Sequence, residues 1–150
     1  MIDALTTLDP GLVHPTGAST APLPIEQYSA LMSDTVFAPC PQGWENLDSF
    51  RVYEALEAGC IPIVERRPRY DYFRLLLGEH PMVTIDHWKE APEAIRVLQR
   101  DPLALETRRT ACATWWQATR RALVDRVRDH CVEGFGLVEG FDRNGMTAAP

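Results

Sequence analysis

Apolar positions along the chain fall into short runs separated by polar stretches rich in Gly and Pro, and the spacing within each run predicts its element. Residues 1–24 are loosely patterned: a short element over 2–8, then an irregular approach punctuated by Pro10, Pro15, Pro22, Pro24, Gly11 and Gly17. Pro24 opens a helix to about Leu31, with Glu26 in its first turn. Thr35–Ala38 reads as a strand and Pro39–Asp48 as a loop. Asp48 or Ser49 caps a helix through about Ala58, which Gly59 ends. Cys60–Val64 is apolar without alternation, the pattern of a strand buried on both faces of a parallel sheet.

Further on, Tyr70–Leu77 predicts a short helix stopped by Gly78, and Met82–Ile85 a third strand. His87–Gln99 reads as a helix with Trp88, Ala91, Ile95 and Leu98 on one stripe. Asp101-Pro102 restarts a long helix to about Cys131, with Leu105, Cys112, Trp115, Trp116, Leu123 and Val127 on its stripe. Glycines from Glu133 onward predict a flexible tail over 133–150. The strand–helix alternation is that of an α/β domain, a Rossmann-like parallel sheet flanked by helices, over residues 25–132.

Composition agrees with one packed domain: 150 residues, 45% hydrophobic and 24% charged. No apolar run reaches the ~20 residues of a membrane span, and no secretory signal is visible at the N-terminus. The net charge of −6 arises in the first fifty residues, which hold six acids and no Lys or Arg. A nucleic-acid binder needs a basic field, so nucleic acid is not expected as a partner. Cys40, Cys60, Cys112 and Cys131 lack CxxC spacing and read as small core residues, which favours a reducing, cytoplasmic setting. His14, His80, His87 and His130 are scattered, and no metal site is expected. The six Arg of the last helix, Arg108, Arg109, Arg120, Arg121, Arg126 and Arg128, read as a solvated face. Trp115 and Trp116 read as one core anchor and one interface residue.

The chemistry concentrates between Val36 and Glu65. In an open parallel sheet, ligands bind at the carboxyl ends of the strands, where the loop after Ala38 lies. Gly43 permits close backbone approach, and the following helix offers free N–H groups to an anion. Arg51 and Glu54 sit in that helix's first turns. There a guanidinium can pair with phosphate and a carboxylate can accept from ribose hydroxyls. The same two charges, with Glu57, also suit the solvated face of a crossover helix, as a plain surface ion pair. Asp48 at the N-cap would repel an anion; Ser49 there would not.

The string CPQGW…DSFRVYEALEAGCIPIV resembles the donor-site signature of exostosin-type glycosyltransferases, including the ribitol xylosyltransferase group. Cys40, Pro41, Gly43, Asp48, Ser49, Arg51, Glu54, Ala55, Leu56, Gly59, Cys60, Ile61 and Pro62 match that signature, and the resemblance extends over roughly residues 25–131. It implies the C-terminal half of a GT-B-type, inverting, metal-independent transferase that uses a nucleotide-sugar, a UDP-sugar in particular, and a glycan acceptor. By the matched positions, Arg51 would meet the diphosphate and Glu54 the ribose. Gln42, Gly43, Trp44, Asp48 and Ser49 would border the donor. The catalytic base stays unassigned, because the acceptor site and base belong to an N-terminal half supplied separately or missing. Gln42 stands where relatives carry Arg, so the alternative is a degenerate half that binds a nucleotide or a protein partner and transfers nothing. Many eukaryotic relatives are Golgi proteins, so the Golgi lumen is the setting if this is a truncated relative of that kind.

Overall fold

The computed structural model describes residues 1–14, 21–43, 49–66 and 71–135. The chain divides into two units, Met1–Gln117 and Ala118–Pro150. The first unit is built on a parallel sheet of three strands, β1 (Phe37–Pro39), β2 (Ile61–Glu65) and β3 (Val83–Ile85), in the order β1-β2-β3. Ahead of the sheet come α1 (Ile2–Leu5) and α2 (Ile25–Ser33). Next, α3 (Phe50–Glu57) joins β1 to β2, and α4 (Tyr72–Leu77) joins β2 to β3. A 3₁₀ turn (Trp88–Glu90), α5 (Ala91–Gln99) and α6 (Pro102–Phe135) follow. The Rossmann-like α/β reading with a long C-terminal helix therefore holds.

Element ends differ from expectation by one to four residues. The N-terminal element closes after Leu5, α2 runs on to Ser33, and the first two strands begin one or two residues late. The helix expected over Tyr70–Leu77 starts at Tyr72, because Asp71 is its cap and accepts from the Arg74 N–H at 3.1 Å. The helix expected from His87 begins as a 3₁₀ turn, and Pro92 sits in the first turn of α5, where no N–H is needed. The last helix passes Cys131 and ends at Phe135; the remainder of the expected tail lies outside the described residues.

Strand β2 lies between two neighbours, and Ile61, Pro62, Ile63 and Val64 are all buried. On one side Ile63 and Ile85 pack with Leu5 of α1 and with Ala91 and Ile95 of α5. The other side gathers Ala38 and Val64 with Val52, Ala55 and Leu56 of α3, Phe73 of α4, and Cys112 and Trp116 of α6. Among the described residues, every fully buried residue is apolar. The spacing of Val52, Ala55 and Leu56 turns one stripe of α3 onto the sheet and leaves Arg51, Glu54 and Glu57 exposed.

Gly59 ends α3 with φ of 76°, and its N–H reaches Leu56 O (3.2 Å) while Cys60 N–H reaches Ala55 O (2.9 Å). This pair of bonds is the Schellman stop, and it delivers the chain straight into β2.

Proline in a central strand needs an explanation, since it cannot donate to the ladder. In the β2–β3 register, residue 62's N–H would face the carbonyl of residue 81. Helix α6 fills the gap: Arg108 Nη1 donates to Pro81 O at 3.0 Å, and Cys112 Sγ lies 3.5 Å from the same oxygen. Next to it, Arg109 Nε donates to Gly59 O at 3.0 Å. Arg108, which stays exposed as expected, and half-buried Arg109 thus also hold backbone carbonyls at the amino ends of the strands. Trp116 is the core anchor, its indole N–H donating to Glu57 Oε1 at 2.9 Å, and Trp115 is half-buried. In the second unit α6 continues from Ala118 to Phe135 with mostly exposed side chains, and Arg128 pairs with Asp125 and, at 3.8 Å, with Asp129.

Among the described residues, His80 and the Ser49 hydroxyl are the exceptions to polar satisfaction. The His80 side chain is 4% exposed and neither ring nitrogen has a hydrogen-bond partner among them. It lies edge-on to Trp115 and 3.9 Å from Asp71 Oδ1. Burial pushes its pKa below the ordinary 6.5 against the opposing pull of Asp71 and Glu79, while Arg74 adds to the lowering.

Two outcomes follow. Ile63→Ala should cost ~2–5 kcal/mol in urea unfolding, by cavity formation where neither sheet face can collapse. His80 favours the neutral form in the fold, so the stability this gives is complete above its ordinary pKa and is lost as pH falls below it. In urea melts between about pH 7.5 and pH 5, His80→Phe should flatten that loss, which for one proton cannot exceed about 1.4 kcal/mol per pH unit.

Candidate functional site

The carboxyl ends of the three strands carry the sequence-predicted residues. Helix α3 returns antiparallel to β1, so its first turn stands at this edge, and α2 runs into the amino end of β1, so its first turn stands here too. The two helices meet through side chains. Tyr28 of α2 donates its hydroxyl to Glu54 Oε2 at 2.7 Å. The Arg51 guanidinium carbon lies 5.3 Å from the centre of the Tyr28 ring, and Arg51 Nε is 3.6 Å from Glu54 Oε2. Arg51 and Glu54 are each about half exposed, at 51% and 48%.

The polar accounting leaves two groups open. Tyr28 and the nearest Arg51 nitrogen both address Glu54 Oε2, and Oε1 accepts no hydrogen bond among the described residues. The shortest Arg51 contact to Glu54 is through Nε, and its Nη groups make no hydrogen bond among the described residues. An open carboxylate oxygen and an open guanidinium fork thus stand side by side.

Ser49 is the N-cap of α3, in extended conformation, and its side chain makes no capping bond. Its Oγ is buried and has no hydrogen-bond partner among the described residues. Helix α6 contrasts with this: Asp101 Oδ1 accepts from both Leu103 and Ala104 N–H groups at 3.0 Å. Asp48 and Trp44 lie outside the described residues. Gly43 is half-buried, and Gln42 donates its Nε2 to Glu65 O at 3.2 Å, tying the loop after β1 to the end of β2.

Cys40 opens that loop and is buried beneath the site. Burial pushes its thiol up to about 12 despite the opposing field of Arg51, so it stays a protonated thiol at neutral pH. Cys60 is raised and Cys112 is raised to about 11, both by burial, which fits the core role expected of them. The Tyr28 hydroxyl is pushed up to about 12 by burial and by its bond to Glu54, so it remains a donor across neutral pH. At the ends of β2 and β3, Arg66 and Asp86 form a two-point pair, with Nη2 to Oδ2 at 3.1 Å. This bond draws the Asp86 carboxyl below its usual range. Among the described residues no group of three or more His, Cys, Asp or Glu gathers to hold a metal ion.

Sequence reasoning named Arg51 and Glu54, and the structure brings them together. It missed Tyr28 as their third member, because nothing in linear spacing pairs residues 26 apart. Its one legible signal was an aromatic in the helix leading to the first strand.

A three-stranded parallel sheet flanked by helices, with this helix turned to its carboxyl edge, is a Rossmann-like α/β arrangement. The chain belongs to the RXYLT1 C-terminal domain family, whose model matches residues 18–135. It is a glycosyltransferase-related C-terminal domain. No curated protein and no solved structure matches the chain. Among the described residues no helix is long and apolar enough to cross a membrane.

The half-exposed Arg51–Glu54 pair carries little of the fold. Arg51→Ala should change unfolding free energy by less than about 1 kcal/mol in urea titrations. A loss of several would make Arg51 a structural residue.

Proposed function

We propose that this domain binds the nucleotide part of a nucleotide-sugar, of the uridine diphosphate class first, for inverting transfer of the sugar to a glycan acceptor. The observation that carries the reading is the open pair on α3: Arg51's fork for the diphosphate and Glu54 Oε1 for the ribose hydroxyls, in a family of glycosyltransferase-related domains. An uncapped first turn adds N–H groups pointing at the same anion. In the reaction, the acceptor hydroxyl attacks the anomeric carbon in line as the bond to the diphosphate breaks. Positive charge at Arg51 stabilises the leaving diphosphate without a metal ion. Gly43, Gln42, Ser49, Asp48 and Trp44 border the donor in this reading. The acceptor and the base come from a second half of a GT-B arrangement, and the compartment, cytoplasm or Golgi lumen, follows that of the full enzyme.

A second reading, binding without transfer, is favoured by Gln42, whose amide is committed in part to Glu65 O and brings no charge to the diphosphate.

Thermal unfolding with uridine, guanosine, adenosine and cytidine diphosphates separates these readings from no binding at all. A cognate nucleotide at one hundred times its Kd should add ~2.7 kcal/mol of stability. Arg51→Ala and Glu54→Ala should each abolish that gain. The absence of a gain with all four nucleotides overturns the donor reading. Sugar transfer from the matching nucleotide-sugar to an acceptor glycan, assayed with a GT-B N-terminal half, then distinguishes enzyme from binder.

A further inference from the structure

We infer that Tyr28 is a positioning residue for ribose recognition: its hydroxyl fixes one oxygen of Glu54 so that the other faces the sugar of a bound nucleotide, while its ring carries Arg51. This rests on the donor reading above and names a part of the site that neither the motif nor the family match assigns.

Tyr28 removes conformational freedom from both charged members of the site. A glutamate on a helix surface has three rotatable bonds, and a carboxylate that swings freely gives up rotamer entropy when it grips a ligand. Glu54 is held before any ligand arrives. Tyr28 Oη–H to Oε2 at 2.7 Å is short, as bonds to an ionised acceptor are. It comes from another helix, 26 residues away, so it sets the carboxylate against the fold and not merely against its own turn. Arg51 Nε sits on the same oxygen at 3.6 Å. With Oε2 engaged, Oε1 is the acceptor that a vicinal diol can use.

The Tyr28 ring does the corresponding work for Arg51. The ring lies 5.3 Å from the Arg51 guanidinium carbon, a cation–π contact that holds the group near Glu54, where its Nη donors make no hydrogen bond among the described residues. One side chain therefore arranges both halves of the contact, through two different atoms. Chemistry can separate them: phenylalanine keeps the ring and loses the hydroxyl.

The test compares uridine diphosphate with 2′,3′-dideoxyuridine diphosphate by isothermal titration calorimetry. In Tyr28→Phe, Kd for uridine diphosphate should rise by about tenfold, while Kd for the dideoxy nucleotide should change by less than about twofold. Tyr28→Ala removes the ring as well and should weaken both ligands. In a Glu54→Gln background, which retains Oε1 as a neutral acceptor, Tyr28→Phe should have a smaller effect. Equal weakening of both nucleotides by Tyr28→Phe makes Tyr28 a general structural support and overturns the inference, as does no weakening of either. Wild-type protein that binds neither nucleotide fails at the donor reading itself, and the inference falls with it. The thermal midpoint of each variant without ligand shows that the fold is intact.

Discussion

Burial of strand β2 on both faces, between a strand on either side, is the constraint on which the molecule depends. Ile61 to Val64 form a continuous apolar run because no side of the strand meets water. A strand buried in this way must enter and leave through its ends, so the connections are forced over the faces. Helix α3 must lie antiparallel on the sheet and begin at the carboxyl edge. Its Schellman stop at Gly59 fixes where it ends, and Val52, Ala55 and Leu56 fix its rotation. Once those are set, Arg51 and Glu54 have one place to go. The proposed chemistry thus follows from a packing decision made at the centre of the sheet.

Much of this was legible in the residues. The unalternated run at Cys60–Val64 gave the central strand, the apolar stripe of α3 gave its buried face, and Gly59 and Gly78 marked helix ends that the structure places at positive φ. Asp101-Pro102 declared the start of α6 by cap and by ring. What the residues concealed was anything that depends on chain segments meeting from afar. Asp71 reads as the second residue of a helix and acts as its cap. Arg108 and Arg109 read as solvated charge and also hold the carbonyls of Pro81 and Gly59, 27 and 50 positions away. His80 reads as one scattered histidine among four and is sealed against Trp115.

The candidate site shows the same division. Its two charged members lie three apart on one helix, a spacing any surface pair shares, and the motif around them raised them above the background. Their arrangement depends on Tyr28, whose contribution is visible only when α2 and α3 are side by side. A hydroxyl that stays protonated and an aromatic face that stays apolar together let an exposed ion pair keep a definite geometry. Water would otherwise leave such a pair loosely ordered.

The proline at the heart of the sheet has one more implication. Because Pro62 has no N–H to give, the Pro81 carbonyl, two residues ahead of β3, is secured by a side chain that enters from the final helix of the unit. The approach to the edge strand is thereby tied to a residue that the chain supplies only 27 positions further on, in its last helix.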